Sequence, residues 1–162
     1  MTRRGRRRPA LLAGTAVLLA AMGVSGAVIA RGGEERLRAE LRGTNEVPAT
    51  DLDARGQARV TLDVRDGEVC FSVRFDRVGT PNRGHIHVGA AGVNGGIVVP
   101  LFELADLSAD ARHDALERGH LDGCVEADPA VLEAIAANPE GYYVNLHNAR
   151  FPAGATRGQL ED

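Results

Sequence analysis

The chain has 162 residues, the size of one ordinary domain or of a small domain with an appended segment. Formal net charge is −3, but all 22 acidic residues lie after position 33, while Arg3, Arg4, Arg6, Arg7 and Arg8 crowd the first eight. Beyond residue 30 the balance is 14 Arg against 22 Asp and Glu, or −8; with aromatics at 4% and no Trp, this argues against a phosphate-binding face or base-stacking platforms, and so against a nucleic-acid partner.

Residues 1–9 (MTRRGRRRP) form a positive region and residues 10–30 carry no charge, the pattern of a secretory signal. Small residues suit cleavage after Ala30 or after Ala27. The same 21 uncharged residues are long enough to span a bilayer as an uncleaved anchor, with the Arg cluster held in the cytoplasm. The Ala and Gly content makes the segment only moderately hydrophobic, which favours cleavage. Both readings place residues 31–162 outside the cytoplasm, secreted or anchored to the outer face of the membrane.

In that body, 36–42 alternates through Leu37, Ala39 and Leu41, the period of a half-buried strand. Residues 56–64 alternate through Ala58, Val60, Leu62 and Val64. Asp66-Gly67 predicts a two-residue hairpin turn into a return strand at 68–76, with Val69, Phe71, Val73 and Phe75 inward. Further strands are predicted at 85–88, 97–102, 120–125, 142–147 and 155–160, and Pro100 marks an edge or a strand end. A helix is predicted from Asp128 as N-cap and Pro129 as first residue, with Val131, Leu132 and Ile135 as its apolar stripe and Pro139 as its stop. A second short helix is expected near 108–117. Short strands with turns and one crossover helix imply an all-β antiparallel sandwich carrying one or two short helices.

Cys70 and Cys124 most simply pair in an oxidising compartment; the competing reading is two buried thiols. His85-Ile86-His87 places two imidazoles on one strand face, with Ile86 and Val88 toward the core. Alternation through 142–147 puts Tyr143, Asn145 and His147 on one face. A neighbouring pair of strands would bring His147 to His85 and His87, a set suited to zinc or copper. The alternative is structural: these histidines hydrogen-bond backbone or Asn groups and hold loop 89–96. That glycine-rich loop lacks the Lys-Ser/Thr of a phosphate loop and reads as a tight connection. His113 and His120 are expected in solvent. No Ser-His-Asp set and no calcium-loop spacing is legible, so neither catalytic nor cofactor-binding residues are assigned. Arg157 is expected to pair with a carboxylate or the chain terminus.

Several motifs in order resemble the CHRD domain, the module named after chordin and found in many bacterial secreted proteins. They are Leu41-Arg42-Gly43-Thr44-Asn45-Glu46-Val47-Pro48, Gly84-His85-Ile86-His87-Val88-Gly89, Gly92-Val93-Asn94-Gly95-Gly96-Ile97-Val98-Val99, Gly141-Tyr142-Tyr143-Val144-Asn145-Leu146-His147-Asn148 and the segment from Pro152 through Thr156-Arg157-Gly158-Gln159-Leu160. Gly96, Asn148 and Ala155-Thr156 depart from the usual pattern. The resemblance implies an immunoglobulin-like or Cu,Zn superoxide dismutase-like sandwich and no defined reaction. It therefore favours a non-enzymatic exported module of interaction or structural type, with an unidentified extracellular partner and no required cofactor. The alternative is a copper- or zinc-binding sandwich using His85, His87 and His147. No bridging His and no acidic zinc ligand stands in a matching context, so dismutase activity is not expected.

Overall fold

The computed structural model of the chain describes residues 33–162. The predicted signal or anchor at 1–30 lies outside the described residues. Eight strands and two helices follow in order: β1 (Glu34–Arg42), β2 (Arg55–Asp63), β3 (Glu68–Asp76), β4 (Pro81–Val88), β5 (Ile97–Glu103), α1 (Ala109–Arg118), β6 (His120–Glu126), α2 (Pro129–Ala137), β7 (Tyr142–Asn148) and β8 (Thr156–Gln159). All strand pairs are antiparallel, in the order β5-β4-β7-β8-β1-β2-β3-β6. The outer strands β5 and β6 approach one another, so this one sheet closes into a barrel-like sandwich.

The period-2 pattern drives the closure. Leu37, Ala39 and Leu41 on β1, Ala58, Val60 and Leu62 on β2, and Val69, Phe71 and Val73 on β3 all point inward and are buried. Ile86, Val144 and Leu146 add the same layer from β4 and β7. Helix α2 begins as predicted, with Asp128 Oδ1 accepting from Ala130 N, and it presses the fully buried Leu132 and Ile135 against the core. Helix α1 is capped by Ser108, whose hydroxyl accepts from Ala111 N.

Three expectations need correction. The β2–β3 hairpin closes through four residues, 64–67, not two. Asp63 Oδ1 accepts from the N–H groups of Arg65 and Asp66, which builds a wider turn and leaves Gly67 at φ +67°. Val88, expected in the core, is 43% exposed because β4 ends there. Strand β4 also starts four residues earlier than predicted, since Pro81, Asn82, Arg83 and Gly84 carry no apolar alternation. Pro100 does lie on an edge strand, with register shifts in the β4–β5 ladder at Gly84/His85 and Ile86/His87.

Cys70 and Cys124 form the disulfide, joining directly opposed positions of β3 and β6. Among the described residues no helix is long and apolar enough to cross a membrane.

Candidate metal centre

Inward-facing Ile86, Val144 and Leu146 fix the opposite direction for their neighbours on the same strands. His85 faces Asn145 across the β4–β7 ladder, and Asn145 faces Arg157 on β8. His87 faces Tyr143 in the next row, and Tyr143 faces Gln159. This outer face is not solvated. His85, His87 and His147 are only 5%, 7% and 4% exposed, and Tyr143, Asn145 and Arg157 are equally buried. Loops bind over it: Asn45 Nδ2 donates to Arg157 O, Arg157 Nη1 donates to Val93 O, and Arg83 Nη2 donates to Pro152 O. The domain thus has a second interior, and it is polar.

The three histidines meet there. Ring centroids lie 4.9 Å (His85–His147), 5.6 Å (His85–His87) and 5.8 Å (His87–His147) apart. One ligand nitrogen from each falls within 4.8 Å of the others, and His85 Nδ1 is 3.1 Å from His147 Nε2. Tetrahedral ligation at about 2.0–2.1 Å spaces donor atoms by roughly 3.4 Å. The closest pair already meets that spacing, and the rings must close slightly on an ion to bring in the third.

Carbonyl partners assign the protons, because a carbonyl oxygen only accepts. His87 Nδ1 lies 3.0 Å from Gly95 O and His147 Nδ1 lies 3.1 Å from Pro152 O, so both Nδ1 atoms carry hydrogen. Their Nε2 atoms are then bare lone pairs. His87 Nε2 is buried without a hydrogen-bond partner. Without an ion, His85 Nδ1–H donates to His147 Nε2; with one, the proton moves to His85 Nε2, 3.7 Å from Glu103 Oε1. The ligand set would then be His85 Nδ1, His87 Nε2 and His147 Nε2, with the His87 and His147 rings held by a carbonyl acceptor on the far nitrogen, the usual support of a metal histidine, and Glu103 standing near the far nitrogen of His85 without a hydrogen bond to it.

Burial pushes the His85 and His147 imidazoles from their usual 6.5 down to about 4, helped by mutual repulsion within the cluster and by Arg83. Burial also lowers His87, opposed by its bond to Gly95 and aided by Arg157. All three are neutral at pH 7, the form that ligates. Three neutral imidazoles fit zinc or copper.

Beside the cluster, the Arg157 Nε group donates to Asn45 O at 2.7 Å and lies 3.7 Å from Glu46 Oε2. The expected carboxylate partner of Arg157 is therefore Glu46, brought to it from the loop after β1. Burial raises Glu46 from its usual 4.5 to about 7, against the pull of Arg157. Alternation along 142–147 places Tyr143 and Asn145 on the His147 face without giving either a role; Glu46 lies inside a quoted motif, but nothing in residue type or spacing marks it.

Elsewhere, His113 is in solvent beside Glu117. His120, expected in solvent too, is half-buried, with Nε2 3.0 Å from Ser72 Oγ. Asp122 approaches that same nitrogen at 3.8 Å, so no Ser-His-Asp relay forms. Glu68 lies near the Cys70 and Cys124 sulfurs, but bonded sulfurs offer no thiolate to a metal.

The loops that cover this polar layer and the strands that floor it are the motifs that run in order through the chain. The CHRD domain profile matches residues 37–160. The chain belongs to the CHRD domain family. No curated protein and no solved structure matches it. In this CHRD domain the motifs around Asn45-Glu46, His85-Ile86-His87, Val93-Asn94-Gly95, Tyr143 to His147 and Arg157 are distant in sequence and gathered on one face.

Proposed function

We propose that this CHRD domain is an exported, non-enzymatic module whose three-histidine cluster holds a copper or zinc ion. The observation that carries the metal reading is the meeting of three buried imidazoles, one ring nitrogen from each within 4.8 Å of the others, with His87 Nε2 buried and unpartnered. A buried polar atom without a partner costs about 1–3 kcal/mol, and an ion would remove that cost. The burial of all three rings favours a held ion over an exposed reaction centre. Export is supported by the Arg-rich start, the uncharged segment 10–30 and the disulfide.

A second reading, a module that adheres to or organises an extracellular partner, is favoured by Val47, Val88, Val93 and Ile97. These side chains are 41–52% exposed at the loop end of the barrel. Metal analysis of protein purified from its exported form separates the two. One equivalent of copper or zinc, lost in a His85→Ala, His87→Ala double variant, supports the metal reading. Substoichiometric metal with unchanged melting on metal addition leaves the interaction reading alone.

A further inference from the structure

We infer that Arg157 and Tyr143 are positioning residues of the three-histidine centre: they lock the loop whose Gly95 carbonyl fixes which nitrogen of His87 carries the proton. Arg157 sits on β8 with its guanidinium in the polar layer, 2% exposed. Its Nη1 donates to Val93 O at 3.0 Å and to Asn94 Oδ1 at 2.9 Å. Asn94 in turn donates through Nδ2 to Val47 O at 2.8 Å, tying the 93–95 loop to the 44–48 loop. The Tyr143 hydroxyl accepts from Gly95 N at 3.1 Å. Gly95 is thus held through its N–H by Tyr143 and through its two predecessors by Arg157, and its carbonyl is presented to His87 Nδ1.

Stacking completes the arrangement. The Tyr143 ring lies on the His87 ring, centroids 5.0 Å apart and planes 10° from parallel. The Arg157 guanidinium lies over Tyr143 in turn, 4.8 Å from its ring centroid. Guanidinium, phenol and imidazole are linked in one chain of stacked groups, and the loop hydrogen bonds close it into a ring. Rotation or a tautomer change of His87 would break the Gly95 bond, and rotation would break the stack as well. His87 Nε2 therefore stays a bare lone pair directed at the cluster even without an ion. This gives the buried arginine of the Arg157-Gly158-Gln159-Leu160 motif a role at the centre.

The inference rests on the metal reading for its affinity consequence and on hydrogen-bond geometry alone for the tautomer. Both are measurable on the full exported domain. Nitrogen-15 NMR of metal-free protein at pH 7 reports the His87 tautomer directly, and competition titration with zinc and with copper reports affinity. Wild type is expected to show a single Nδ1–H tautomer. Tyr143→Phe removes only the hydroxyl that holds Gly95 N–H, and Asn94→Ala removes an acceptor of Arg157. Each should give a mixture of His87 tautomers and a loss of about 10–100-fold in metal affinity, the usual scale for such supporting contacts. Arg157→Lys keeps a charge opposite Glu46 and a donor for Val93 O, and should lose less than Arg157→Gln. A single Nδ1–H tautomer with unchanged affinity in Tyr143→Phe and Asn94→Ala overturns the inference, even if the Arg157 variants do not fold. Should wild type take up neither zinc nor copper, the metal reading falls, while the tautomer comparison still decides the positioning role.

Discussion

Neutral imidazoles decide how the site answers to pH. A surface histidine loses metal as pH falls through about 6.5 because protons compete for the lone pair. With His85 and His147 held down to about 4 and His87 lowered as well, the loss of affinity between pH 8 and pH 4 should be displaced well below the 6.5 of a surface site. A zinc titration series across that range checks it; a decline already complete at pH 6 contradicts it. The same groups set stability. Their folded values lie below 6.5, so the unfolded chain binds more protons between about 4 and 6.5, and stability falls as pH drops through that window. Glu46, raised to about 7, acts oppositely: the folded state holds the extra proton between 4.5 and 7. Glu46→Gln should therefore steepen the loss of urea stability between pH 6.5 and 4.5, whereas an equal or smaller loss would contradict that sign. The histidines were legible in the sequence because spacing of two on a strand is diagnostic of a shared face. Glu46 was not, since its partner Arg157 is reached only through the fold.

At the scale of elements, the glycine-rich connection between β4 and β5 is the most constrained piece. A Cβ at Gly95 would overlap the Val88 carbonyl, so any side chain there must push the loop away from β4. Gly95→Ala is predicted to displace the carbonyl that receives His87 Nδ1–H and to weaken metal binding while leaving the barrel folded, as read by titration and by far-ultraviolet circular dichroism. Retained affinity would mean that the loop is not the support described. At the start of α2, Asp128→Ala should cost about 1 kcal/mol in denaturant unfolding through loss of the cap, without touching metal affinity. Most strands and both helices were legible, because periods of 2 and 3.6 and the Asp-Pro start are local signals. The length of the 64–67 turn was not: the Asp63 side chain, outside the Asp-Gly pair, selects it. Nor was the covering of the polar face of β7. Tyr143, Asn145 and His147 alternate with Val144 and Leu146 like an ordinary half-exposed strand, and the loops that bury them come from segments far away in the chain.

Across the whole molecule, two devices tie distant segments together. The disulfide closes a loop between residues 54 apart on β3 and β6, and its loss should lower stability by roughly 4 kcal/mol in the chain-entropy description. Reduction followed by urea unfolding checks this; an unchanged midpoint contradicts it. The three-histidine centre ties β4 to β7, and a bound ion at about 100 times its dissociation constant should add roughly 2.7 kcal/mol. Under the proposed export, the Arg-rich start would set topology, apart from the acidic body. Intact mass of the exported protein should give an N-terminus at Val28 or Arg31 if the segment is cleaved. The most direct measurement is X-ray absorption at the zinc or copper edge of the loaded domain. Three imidazole nitrogens at about 2.0–2.1 Å, lost in the His85→Ala, His87→Ala variant, are the predicted result. A shell of oxygen ligands alone, or a spectrum unchanged in that variant, would contradict the account.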